Sequence, residues 1–105
     1  MADSERYSAA VESISRDQLD IFECLIRIDR REPLDGRAGA LLERLIDGGL
    51  VDRSGTTLSL TAAGVERCRS LQHRLASDKE AARVLVERGL AEAIAQGLRI
   101  ATPAM

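Results

Sequence analysis

The stretch that decides the fold runs from Leu41 to Gly64 and reads LLERLIDGGLVDRSGTTLSLTAAG. Its first seven residues place Leu41, Leu42, Leu45 and Ile46 on one side of a helix, and the Gly48-Gly49 pair is a strong C-terminal stop. Leu50-Val51-Asp52 and Thr57-Leu58-Ser59-Leu60 are short β-compatible runs on either side of the polar turn Arg53-Ser54-Gly55-Thr56. Together they predict a β-hairpin. Thr61 then stands where a helix needs a side-chain cap. Helix, hairpin and capped helix follow one another with no slack between them.

Working outward, Asp35 is the expected cap of the helix over 35–47, whose inner stripe is completed by Ala38. Upstream, Ser15 and Gln18 have capping-box spacing and open a helix carrying Leu19, Ile21, Phe22, Leu25, Ile26 and Ile28. That helix should end near Arg30, because Pro33 disfavours helical geometry at Glu32. Residues 1–14 read as a tail, or as a short helix over 8–14 that docks on a partner. Downstream, the helix capped by Thr61 has the stripe Val65, Cys68, Leu71 and Leu75. A last helix, capped by Ser77 or Asp78, runs to about Gln96, either continuous or broken at Gly89. The chain divides into an N-terminal segment (1–14), a core (15–64) and C-terminal helices (65–105). The order helix, helix, hairpin, helix, helix is an α+β architecture, mostly helical.

Composition narrows the function classes. The chain has 105 residues, 45% of them hydrophobic and 30% charged, which fits one soluble globular domain. Tyr7 and Phe22 are its only aromatic residues, so Leu, Ile, Val and Ala must build the core. The net charge of −2 is not the basic signature of a typical nucleic-acid binder. No run approaches the ~18 apolar residues of a membrane span, and the first residues are polar and acidic rather than signal-like. A cytoplasmic location is the expectation. Cys24 and Cys68 fit no metal spacing, and His73 has no carboxylate or cysteine at ligand spacing on its helix. Neither a nucleophile elbow nor a phosphate-binding glycine loop is present. The chain therefore reads as a non-enzyme without cofactor or metal.

The Gly-Leu-Val…Leu-Thr-Ala-Ala-Gly pattern of residues 49–64 resembles the winged helix of bacterial MarR- and PadR-type transcriptional regulators. The resemblance is strong over residues 41–64 and looser over the rest. It implies a winged-helix-like domain in which residues 35–47 are the recognition helix and 50–60 the wing. It also implies DNA contacts from Arg37 and Arg44 on the helix and from Arg53, Ser54 and Thr56 on the wing. The sequence departs from the pattern at one place. Only Arg31-Glu32-Pro33-Leu34 separates Arg30 from Asp35, so the helix that precedes a recognition helix is shortened or missing. Residues 35–60 carry Arg37, Arg44 and Arg53 against Asp35, Glu43, Asp47 and Asp52, a slightly acidic balance. Residues 61–77 are the one basic stretch, with Arg67, Arg69, His73 and Arg74 against Glu66.

Some regulators of this kind sense oxidants through a cysteine near the N-terminus, a role that would fall to Cys24. Its neighbours supply no positive charge, so core packing is the reading for both thiols. The helix over 78–96 is apolar over a wide arc, which in so small a chain points to a partner helix. A homodimer through Leu85, Val86, Leu90, Ala93 and Ile94 is the expectation. Two functions remain open: a dimeric winged-helix DNA-binding regulator, and a winged-helix-like protein-interaction or assembly module that does not bind DNA.

Overall fold

The structure, a computed structural model, describes residues 14–34 and 36–96. Its first helix, α1 (Arg16–Asp29), opens on a complete capping box: the Gln18 amide donates to Ser15 Oγ (3.2 Å) and the Ser15 amide donates to Gln18 Oε1 (3.2 Å). The helix buries Leu19, Ile21, Phe22, Cys24, Leu25, Ile26 and Ile28, and so forms the spine of the core. It ends where expected, but not through Pro33 alone. Arg31 sits in the left-handed region (φ 59°), its amide donating to Ile28 O (3.1 Å) and that of Glu32 to Arg27 O (2.8 Å). This pair of bonds is the Schellman closure, here built on a residue other than glycine.

Residues 32–34 carry no helix, and a 3-10 turn at Gly36–Ala38 leads directly into α2 (Gly39–Asp47). The element that usually precedes a recognition helix is thus reduced to a turn, as the short spacing predicts. The helix expected over 35–47 begins only at Gly39, because Gly36–Ala38 take the tighter 3-10 geometry. Ala38, at the N-cap, makes no side-chain cap bond, and the expected cap Asp35 lies outside the described residues.

Strands β1 (Val51–Ser54) and β2 (Thr57–Leu60) form an antiparallel hairpin with Val51 opposite Leu60 and Ser54 opposite Thr57. The expected four-residue turn shrinks to Gly55-Thr56, because Arg53 and Ser54 pair with Leu58 and Thr57. Helix α3 (Ala62–Leu75) follows and buries Cys68, Leu71 and Leu75, with Val65 half-buried. Helix α4 (Lys79–Glu87) is capped by Asp78, whose carboxylate accepts from the amides of Ala81 (3.0 Å) and Ile14 (2.9 Å). These two bonds hold the Asp78 carboxyl below its ordinary value of 3.8, more than offsetting its slight desolvation. The break at Gly89 is real: at φ 84° it lets the Leu90 amide close onto Leu85 O (2.9 Å), and α5 (Ala91–Gln96) starts in a new direction. The expected helix over 8–14 falls outside the described residues except for the buried Ile14.

One apolar cluster runs from Ile14 through α1, Leu45, Val51, α3 and α4 to Ala93. The layout is α+β, mostly helical and winged-helix-like. Its tightest joint lies between hairpin and α3. The Thr61 amide donates to Leu50 O (3.0 Å), while the Thr61 hydroxyl donates to Gly49 O and accepts from the Gly64 amide (3.0 Å). Gly64 lies so close to this corner that a Cβ there would meet Leu50 O at 2.1 Å. Polar bridges fasten the other side: Arg88 Nη1 donates to Asp20 (2.9 Å) and Glu23 (2.8 Å), and Arg30 Nη1 to Glu92 (3.0 Å). Among the described residues no helix is long and apolar enough to cross a membrane.

Candidate nucleic-acid interface

Helix α2 lies on the core by one edge. Leu45 is its single buried residue, Leu41, Leu42 and Ile46 are half-buried, and Gly39, Ala40, Glu43, Arg44 and Asp47 are exposed. The Leu-Leu-x-x-Leu-Ile spacing dictates this, since positions four apart stack on one face and the intervening residues point away. The wing stands beside that exposed face. Arg53 Nη2 reaches Glu43 Oε2 at 3.0 Å, so the outer side of α2 and the base of the hairpin tip make one surface.

All five residues expected to contact DNA are exposed, though they are not equally free to do so. Arg37 projects from the 3-10 turn rather than from the helix proper. Arg44 turns towards the start of α1, where both its Nη atoms face the Asp17 carboxylate at 3.4 and 3.5 Å. Arg53 is held by Glu43, while Ser54 closes β1 and Thr56 lies in the two-residue turn. The surface therefore alternates in sign, with each of Arg44 and Arg53 set against a carboxylate. Both pairs are largely exposed to water, so each contributes on the order of 0.2–1 kcal/mol and a phosphate can displace it. Sequence reasoning missed Asp17, which lies 27 positions from Arg44 and shares no periodic signal with it.

No known family, curated protein or solved structure matches the chain. The functional reading therefore rests on the chain's own residues.

Of the residues expected to pair two copies, Leu85, Leu90 and Ala93 are buried in the chain's own core at 0%, 3% and 0% exposure. The physical reason is the Gly89 bend, which folds α5 back against α4 and turns the apolar arc inward. Ile94 is half-buried against the same core, and its carbonyl accepts from Gln72 Nε2 (3.1 Å). Val86, at 50%, is the one large apolar side chain left exposed among the described residues. Its exposed neighbours on α4 are Lys79, Glu80, Arg83 and Glu87, so it sits alone on a charged face.

Both thiols are buried and free. Burial, with help from Glu23, pushes Cys24 up to about 11; burial, with help from Asp29, pushes Cys68 up to about 12. Neither carries the thiolate character of a reactive cysteine at neutral pH. His73 lies on the exposed face of α3, beside Arg69, Gln72, Ala76 and Ile94. Among the described residues no three His, Cys, Asp or Glu side chains gather as a metal site.

Proposed function

We propose that the chain is a winged-helix DNA-binding regulator that uses α2 in the major groove and the β1–β2 wing against the backbone. The observation that carries this reading is the single surface made by the exposed side of α2 and the wing, joined through Glu43 and Arg53 (3.0 Å). A groove-reading element needs a helix that projects beyond the core beside a strand pair able to reach phosphate, and this arrangement supplies both. Arg37 and Arg44 are the base- or phosphate-directed cations of the helix. Arg53, Ser54 and Thr56 are the donors of the wing. Three arginines per copy give a small electrostatic contribution, so the reading includes a homodimer that doubles it and demands a palindromic site. In that dimer Val86 and Ile94 are the residues of the expected interface that remain available.

The ion pairs Arg44–Asp17 and Arg53–Glu43, with the reduction of the preceding helix to a turn, favour a second reading. In it the same surface serves as a mixed-charge protein-interaction module. Fluorescence anisotropy with a mixed-sequence duplex at low salt separates the two. Binding that weakens on Arg37→Ala or Arg53→Ala supports the first. Absence of any binding at low salt refutes the first. Sedimentation tests the dimer independently: Val86→Glu should shift a dimer towards monomer, and a monomeric parent chain removes that part of the proposal.

A further inference from the structure

One face of α1 looks across a cleft at the segment that leads into α2. Arg16, Asp20, Glu23 and Arg27 recur there at spacings of four and three, which places them on one side of the helix. A cleft of about 700 Å³ opens over this face. Its second wall is Leu34, Arg37, Ala38 and Leu41, its end is Arg88, and Cys24 contributes to its apolar lining.

The charge in this cleft is ordered. Glu23 bridges two cations, accepting from Arg27 Nε (3.0 Å) and from Arg88 Nη1 (2.8 Å). Arg27 is fully committed, since its Nη1 reaches Glu32 (2.8 Å) and its Nη2 the Arg88 carbonyl (3.2 Å). Arg88 meets both Asp20 and Glu23 through Nη1 alone, which leaves Nε and Nη2 without a partner among the described residues. Partial burial opposes the charge on Arg88, but its hydrogen bonds to the Asp20 and Glu23 carboxylates outweigh it and raise its pKa. Among the described residues, four guanidinium groups and two carboxylates line the cleft.

We propose that this cleft binds a small organic dianion, a phosphate ester or a dicarboxylate with an apolar body. The anionic head would sit between Arg16 and the uncommitted nitrogens of Arg88, whose planar forks match carboxylate and phosphate oxygens. The body would lie on Leu34, Ala38, Leu41 and Cys24. The volume is that of a small-molecule site, and a charged head over an apolar wall is the usual division of labour in one. The cleft shares the segment from Arg37 to Leu41 with the DNA reading, but the anion is held by Arg16 and Arg88, which that reading does not use, so the two can fail separately.

The test is a titration of the full-length, isotope-labelled chain with phenyl phosphate and, separately, with inorganic phosphate, followed by amide chemical shifts. Saturable shifts should appear in residues 16–27, 34–41 and 88, with a phenyl phosphate Kd of about 1 mM or tighter. Inorganic phosphate, lacking the apolar body, should bind several-fold more weakly. Arg16→Glu, an exposed substitution whose fold is checked by circular dichroism, should weaken phenyl phosphate about tenfold or more. Arg67→Glu on the exposed face of α3 should leave it unchanged. Shifts that do not saturate, or equal losses in the two variants, overturn the proposal. So does a DNA duplex that shifts the cleft amides when phenyl phosphate does not, since the cleft would then be a backbone-phosphate contact.

Discussion

Gly64→Ala is the sharpest perturbation of the joint that sets the wing against α3. A Cβ at this position would lie 2.1 Å from Leu50 O, 3.1 Å from its carbonyl carbon and 3.5 Å from its Cα. Ordinary contact would need more than an ångström of retreat, and the obstacle is backbone rather than a movable side chain. Retreat pulls on the Thr61 amide bond to Leu50 O (3.0 Å) and the Gly64 amide bond to Thr61 Oγ1 (3.0 Å). Overpacking costs about 1–3 kcal/mol, and the two weakened hydrogen bonds add about 1 kcal/mol together. Against this, replacing glycine by alanine inside a helix gains about 1 kcal/mol. The net loss should be about 2 kcal/mol, or a fall in Tm on the order of 10 °C. Urea denaturation followed by circular dichroism measures it directly. Gly39→Ala is the matched control, because nothing lies within 4 Å of its Cβ position in α2, and it should stabilise by about 0.5–1 kcal/mol. If Gly64→Ala stabilises as much as Gly39→Ala, the close approach to Leu50 is not there and the joint as described is wrong.

Three further outcomes follow from the same geometry. Arg31→Gly should raise stability by about 0.5–1 kcal/mol in the same denaturation assay, because it relieves a non-glycine residue held at φ 59°; a loss would mean that the Arg31 side chain outweighs its backbone strain. Asp78→Ala should cost about 1–2 kcal/mol through the lost amide bonds to Ala81 and Ile14. Since the folded chain holds the Asp78 carboxyl below 3.8, its contribution is complete above about pH 5 and is lost as the pH falls through the folded value. The acid side of the stability curve should accordingly be flatter in Asp78→Asn. If α2 and the wing bind DNA as proposed, Glu43→Gln should release Arg53 and remove the negative charge beside it, strengthening duplex affinity by up to about fivefold in anisotropy titrations.

The legible part of the fold was the part written in local chemistry. Ser15 and Gln18 state a capping box, Gly48-Gly49 a helix stop and Thr61 a cap, and each does that work in the structure. The hairpin was placed correctly, but its turn was overestimated, because Arg53 and Ser54 look like loop residues while their backbones pair. Pro33 predicts a stop after α1, yet the closure uses a left-handed Arg31 that no composition rule anticipates. The apolar arc over 78–96 was visible, but its destination was not. Periodicity says that a face is apolar and leaves open whether the chain or a partner covers it; the Gly89 bend turned Leu85, Leu90 and Ala93 inward. Arg44 and Asp17 are likewise paired only by tertiary folding. The charged residues Arg16, Asp20, Glu23 and Arg27 carry no expectation from the sequence, although their spacing of four and three puts them on one face of α1. Only tertiary folding brings residues 34–41 and Arg88 across from that face.

Whether α2 and the wing bind DNA is decided by the salt dependence of duplex affinity. If Arg37, Arg44 and Arg53 each neutralise one phosphate, log K should fall against log salt with a slope of about −3 per protomer, and Arg53→Ala should reduce that slope by about 1. A duplex that is not bound at the lowest salt, or is bound with a slope that Arg53→Ala leaves unchanged, would contradict the assignment.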